Sequence, residues 1–177
     1  MAEPQIPPRF RALVGMGGNL GDVAAQLRSA LSALETLPWT RVEGVSSVYQ
    51  TAPVDASGPD YLNAVVALQS ALGPEELLRA LLQLECDHDR TRPYRHAPRT
   101  LDLDLLWFGG AQRDTATLTL PHPRMLQRAF VLEPLSDLLD TQKWPWPADL
   151  PRPTAQERQF LAQQQGIAQI ESLHLAK

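Results

Sequence analysis

The sequence predicts an α+β sandwich carried by a mostly antiparallel sheet. Two observations predict it. Amphipathic helical stretches separate short apolar or alternating segments, and two of those segments, residues 41–49 and 61–68, follow one another with no helix between them. A length of 177 residues suits one compact domain, and a hydrophobic content of 44% suits a globular chain with a real core.

The elements follow in order. Residues 1–10 are polar and proline-bearing, a flexible lead-in, and Ala12-Leu13-Val14-Gly15-Met16 is a short apolar strand. From Asp22, Val23, Leu27, Ala30, Leu31 and Leu34 recur at helical spacing, and Pro38 ends the helix near Leu37. Residues 41–49, rich in valine and serine, read as a strand, and the proline, glycine and aspartate of residues 51–60 read as a surface loop. In residues 61–68, Leu62, Ala64, Val66 and Leu68 share one face and Tyr61, Asn63, Val65 and Ala67 the other. Pro74 sits at a first helical position, with Glu75 and Glu76 in the first turn and Leu77, Leu78, Leu81, Leu82 and Leu84 as the apolar stripe. An arginine-rich loop leads to a strand over 101–108, ended by Gly109-Gly110. Beyond Trp144 the chain is proline-rich, and residues 154–170 read as a last helix.

Bulk properties narrow the function. A net charge of −4 disfavours general nucleic-acid binding, which needs a cationic face. The lone Cys86, the lack of a secretory start and the lack of an apolar run near 20 residues point to a cytoplasmic protein with no membrane partner. Yet Arg90, Arg92, Arg95 and Arg99 crowd into one short stretch, a concentrated anion-binding candidate in an acidic chain.

Directly after that stretch, strand alternation places Asp102 and Asp104 on one face and Leu101, Leu103 and Leu105 on the core face. Carboxylates two strand residues apart stand roughly 7 Å from each other and can converge on one cation. Such hard oxygen ligands suit magnesium, which completes its shell with waters and phosphate oxygens. A solvent-facing pair beside a solvated basic loop is the plain alternative, weakened by the arginine forks that match phosphate. His122, rigidified between Pro121 and Pro123, and Arg128 can extend the clamp, although a loop histidine is more often structural. Gly15-Met16-Gly17-Gly18-Asn19-Leu20-Gly21 has neither the P-loop lysine nor dinucleotide-type spacing, so it reads as a tight strand-to-helix turn with glycines at positive φ.

Arg95-His96-Ala97-Pro98-Arg99-Thr100-Leu101-Asp102-Leu103-Asp104-Leu105-Leu106 strongly resembles the 6-hydroxymethyl-7,8-dihydropterin pyrophosphokinase family. Gly17-Gly18-Asn19-Leu20, Ser46-Ser47-Val48-Tyr49, Tyr61-Leu62-Asn63-Ala64 and the stretch from Leu120-Pro121-His122 through Arg128-Ala129-Phe130 to Leu135 support it in the same order, over about residues 11–140. The resemblance implies an αβα three-layer sandwich with a ferredoxin-like sheet. It implies diphosphate transfer from ATP to the pterin hydroxymethyl group, with AMP released, in folate biosynthesis. By the same carry-over, Asp102 and Asp104 hold two magnesium ions and act in catalysis with Arg90 and Arg99. Arg92, Arg95, His122 and Arg128 bind ATP. Tyr61 and Phe130 sandwich the pterin, Asn63 reads its edge, and Thr51, Ala52, Pro53 and Val54 give it backbone hydrogen bonds. Core packing is the plain alternative for both aromatics. His96 stands where the family often has tryptophan, and Pro123 where some members have tyrosine.

The implied organisation is a catalytic domain over 11–140, with residues 141–177 packed on it, acting as a monomer on small molecules. The rival readings are another D-x-D nucleotidyl or phosphoryl transferase and a ferredoxin-like RNA-binding module. The acidic balance and the absence of an aromatic RNA-binding signature oppose the latter.

Overall fold

A computed structural model describes residues 9–53, 58–88, 99–141 and 144–170. In chain order the elements are β1 (Phe10–Gly18), α1 (Val23–Thr36), β2 (Thr40–Val45), β3 (Val48–Thr51), β4 (Tyr61–Ser70), α2 (Pro74–Asp87), β5 (Asp102–Phe108), β6 (Arg113–Asp114), β7 (Thr119–Leu120), α3 (Ala129–Thr141), α4 (Ala155–Gln165) and β8 (Ile167–Ile170). The main sheet runs β5-β1-β4-β3-β8, with β2 also on β4, and every described ladder is antiparallel.

Both faces of this sheet are buried, which is why β4 carries apolar residues on each. Ala64, Val66 and Leu68 pack with Val23, Leu27, Ala30 and Leu34 of α1 and Leu77 and Leu81 of α2. Val65 and Ala67 pack with Val131, Leu135 and Leu138 of α3, and with Trp144 and Leu150. Helices thus cover the sheet on both sides, giving the αβα layering. Each fully buried leucine contributes roughly 1.5–3 kcal/mol.

Helix starts follow from local chemistry. The Asp22 carboxylate accepts from the Ala25 amide at 3.0 Å, and Glu76 accepts from the Gly73 amide at 2.9 Å beside Pro74 at the start of α2. The stripe of α2 is narrower than its leucines suggest. Leu77 and Leu81 are buried, Leu78 and Leu84 half-buried, and Leu82 exposed.

Three sequence expectations need correction. The strand expected over 41–49 is two strands, because Ser46 and Ser47 leave the ladder. Ser46 bridges the break by donating its amide to the Val65 carbonyl and accepting the Val65 amide on Oγ, both at 2.9 Å, while Asp137 of α3 accepts the Ser47 amide at 2.7 Å. The last helix stops at Gln165, since Gly166 takes a left-handed φ of 60° and caps it, and residues 167–170 pair with β3 instead. In the glycine run, positive φ occurs at Gly21, whereas Gly15, Gly17 and Gly18 are strand residues of β1. Helix α3 was not expected as an element.

Gly18 is required for close approach. A Cβ there would collide with the Thr100 carbonyl oxygen. Asn19 locks the same junction, donating its amide to the Arg99 carbonyl and accepting the Arg99 amide on Oδ1, both at 2.9 Å. Gly18→Ala is therefore expected to cost roughly 1–3 kcal/mol and lower the unfolding midpoint by roughly 2–12 °C. Calorimetry checks this, and an unchanged midpoint would mean that the two segments do not abut.

Candidate active site

The site begins with what β1 lacks. Directly opposed residues in antiparallel strands share a face, and Gly17 lies opposite Asn63 of β4 and Asp102 of β5, as Gly15 lies opposite Val65 and Asp104. With no side chain between them, β4 and β5 frame a bare floor about 10 Å across, twice the strand spacing. A Cβ on Gly17 would stand 2.8 Å from Asn63 Oδ1. The cleft over this floor measures about 470 Å³.

One wall is flat and aromatic. Thr51, Ala52, Tyr61, Asn63 and Phe130 all line the cleft. Asn63 is buried and donates from Nδ2 to Thr51 Oγ1 at 3.0 Å, which orients its amide. Pro53 is half-buried and does not line the cleft, and Val54 lies outside the described residues.

The opposite wall is charged. Asp102 and Asp104 line the cleft, while Leu101, Leu103 and Leu105 are buried in the core, as strand alternation demands. Arg99 pairs with Asp102, Nη1 to Oδ1 at 2.5 Å. Burial opposes the charge of Arg99, but Asp102, by charge and hydrogen bond, and Asp104 outweigh it, and the pKa rises. Arg128 lies with its guanidinium carbon 5.3 Å from the Phe130 ring centre. Burial and neighbouring Arg124 lower its pKa, against the pull of Asp104 and Asp102. Arg90, Arg92 and Arg95 lie outside the described residues. Thr100 Oγ1 donates to the His88 carbonyl at 2.7 Å, so the two ends of the segment bearing those arginines are tied together beside Asp102.

His122 does not line this cleft but an adjoining cavity of about 310 Å³, along the outer edge of β5, and Asp104 borders both. The His122 amide donates to the Leu106 carbonyl at 2.8 Å, and Nδ1 accepts from the Arg124 amide at 3.2 Å, so a neutral ring carries its proton on Nε2. Burial, then the charges of Arg128 and Arg124, push its pKa below the ordinary histidine value, with its own backbone hydrogen bond and Asp102 acting the other way. Glu85, buried at the end of α2, also borders this cavity and accepts the Leu103 amide at 2.7 Å, fixing the residue between the two aspartates.

Arg124, Gln127 and Gln165 also line the main cleft and were not singled out from the sequence. Arg124 stands in the proline-stiffened Pro121-His122-Pro123-Arg124 run, a usable signal. The glutamines carry no local signal and reach the cleft through tertiary packing.

The donor chemistry fits a magnesium ion that arrives with phosphate. Asp102 and Asp104 offer hard oxygens on one face, and among the described residues there is no group of three or more His, Cys, Asp or Glu side chains able to form an all-protein metal cage.

Comparison with known proteins agrees with this geometry. Residues 13–140 match the family profile described as 7,8-dihydro-6-hydroxymethylpterin-pyrophosphokinase, HPPK. The 2-amino-4-hydroxy-6-hydroxymethyldihydropteridine pyrophosphokinase of Synechocystis sp. is 43% identical over 127 residues, covering 72% of this chain and 65% of that protein. The Pseudomonas aeruginosa protein of the same name is 43% identical over 142 residues, covering 80% of this chain and 88% of that protein. The fold also superposes on a crystal structure of Plasmodium falciparum HPPK-DHPS with SDX-DHP, with a TM-score of 0.64 at 12% identity, over 92% of this chain and 45% of that one. With a bare-floored cleft joining an aromatic wall to paired aspartates, and with that match over most of its length, the chain belongs to the 7,8-dihydro-6-hydroxymethylpterin-pyrophosphokinase family.

Proposed function

We propose that this chain carries out the reaction named for its family, moving the diphosphate of ATP to the hydroxymethyl oxygen of 6-hydroxymethyl-7,8-dihydropterin and releasing AMP, in folate biosynthesis. The observation that carries this reading is the glycine floor of β1. It places the aromatic wall and the aspartate pair on one face, about two strand spacings apart.

The acceptor lies between Tyr61 and Phe130. Asn63, preset by Thr51, reads its polar edge, and the backbone of Thr51 and Ala52 adds hydrogen bonds. ATP lies over the edge of β5, with its phosphates toward Asp104 and His122, in the cavity that both border. Asp102 and Asp104 are the groups that would hold magnesium, two ions on the family's pattern, and the metal supplies charge neutralisation on the phosphates and a more acidic attacking hydroxyl.

Arg99 and Asp102 are each other's counter-ion in the structure, and the substrates exchange these partners. Asp102 is one of the groups that would hold magnesium, and Arg99, released from that pairing, would turn to the diphosphate. Arg90 joins Arg99 on the transferring group, and Arg92, Arg95 and Arg128 hold the remaining phosphate charge. The protein's contribution is positioning and charge stabilisation of an in-line displacement at the β-phosphorus. Residues 11–140 form the catalytic domain, with the described residues 144–170 packed against it, and the enzyme works as a cytoplasmic monomer. Among the described residues no helix is long and apolar enough to cross a membrane.

Three outcomes are expected. Purified protein with ATP and magnesium releases AMP when the pterin is present and not without it, as nucleotide chromatography would reveal; folded protein that binds ATP but yields no AMP would sink the acceptor assignment. Asp104→Asn lowers turnover by more than about 100-fold while the unfolding midpoint moves by less than about 2 °C, and near-normal magnesium-dependent rates would remove Asp104 from the metal site. For His122, the depressed pKa keeps the free imidazole neutral near pH 7. An adjacent phosphate favours the protonated ring and raises the pKa, so ATP binding takes up protons at about pH 6. Calorimetric titration in buffers of different ionisation enthalpy measures this uptake. It should vanish in His122→Asn, and parent protein that takes up no proton would place His122 away from the phosphates.

A further inference from the structure

The first turn of α3 carries both Arg128 and Phe130, so the geometry of that turn sets how the aromatic and phosphate walls face each other. Arg128 caps the helix through its carbonyl, which accepts the Val131 and Leu132 amides at 3.0 and 2.9 Å. The amide of Ala129, at the head of the helix, has no acceptor within its own turn, as is general for a first-turn N–H. It is answered from a distant part of the chain. Gln165 Oε1 accepts it at 2.8 Å, and Gln165 Nε2 donates to the Gln127 carbonyl at 3.0 Å. One side chain therefore grips the backbone on both sides of Arg128. Those two bonds use one lone pair and one proton of an amide that has two of each, and Gln165 itself lines the cleft.

What holds Gln165 there is not core burial. Helix α4 has no buried residue. Its start is fixed by the reciprocal Thr154 and Glu157 cap, and its end by Gly166, after which β8 pairs with β3, Ile167 opposite Thr51. Thr51 is the residue that orients Asn63. The unit 154–170 thus reaches both halves of the acceptor slot, one through Gln165 and the other through β3. All of it lies beyond residues 13–140, the stretch matched by the family profile.

We propose that Gln165 is a positioning residue for the acceptor half of the site, setting the spacing within the aromatic wall between Phe130 of α3 and Asn63 of β4. The proposal rests on the reading of the cleft as the pterin site. Its test separates the two. Gln165→Met keeps the volume and removes both hydrogen bonds, Gln165→Glu keeps an acceptor for the Ala129 amide, and Gln164→Met is the control on the exposed side of the same helix.

With the parent active, Gln165→Met is expected to raise KM for the pterin about fivefold or more and KM for ATP by a smaller factor, through Arg128. Gln165→Glu recovers part of the loss, Gln164→Met behaves as the parent, and hydrogen exchange at the amides of residues 129–131 quickens in Gln165→Met. An unchanged pterin KM overturns the proposal. So does an equal rise in both KM values accompanied by a lower unfolding midpoint, since that marks a fold-wide effect. If the parent makes no AMP with the pterin, it is the reading of the acceptor that fails, and exchange at Ala129 then decides the positioning role alone, with unchanged protection overturning it.

Discussion

Strand β1 carries glycine at positions 15 and 17, and in an antiparallel sheet these fall in the same rows as Asn63 and Asp102, and Val65 and Asp104. A central strand buried on both faces would ordinarily fill those positions with apolar side chains. Their absence leaves a trough in the sheet, with Tyr61 and Asn63 on one bank and Asp102 and Asp104 on the other. The trough also needs its far bank held close. Gly18 and the paired hydrogen bonds of Asn19 do this by drawing the Arg99–Thr100 backbone against the end of β1. The short glycine-rich run is therefore three solutions in sequence: an empty row, a close approach and, at Gly21, a left-handed turn into α1.

Much of this was legible in the sequence. The alternation of Asp102 and Asp104 against Leu101, Leu103 and Leu105 continues through Leu106, on the aspartates' face, and breaks after it at a bulge, where Trp107 joins Leu106 in the same core. The two helices with clear apolar stripes and the pairing of adjacent strands placed the fold in its class. Two of the misreadings share one cause. A glycine or a serine pair has a local meaning, such as a turn or a strand, and here the tertiary partner overrode it. Ser46-Ser47 breaks a strand because Val65 and Asp137 bind it from outside, and the glycines stay extended because β4 and β5 flank them. The motif ending at Arg128–Leu135 was read without the helix over 129–141 that carries it, and His122 faces the cavity beside the main cleft, on the far side of Asp104.

Among the described residues of the site, few charged groups lack a counterpart. The Arg99–Asp102 pair is half-sheltered, and Arg128 gains from both aspartates part of what burial takes away. On the proposed reading, a ligand bringing both cation and phosphate would exchange the partners of Arg99 and Asp102, which a simple anion would not. The neutral tendency of His122 belongs to the same balance, since two arginines already bear on it.

The strand β8 that follows Gly166 has a further consequence. Without it β3 would be the edge of the sheet, with its unpaired backbone groups beside the acceptor pocket, a surface on which another chain can add a strand. Four residues of β8 close that edge and present in its place a very short one, with Ala168 and Gln169 exposed. At the other side, the His122 amide bonded to the Leu106 carbonyl occupies part of the outer rim of β5. Among the described residues, both margins of the sheet thus leave only a short or partly occupied rim open to edge-to-edge strand addition.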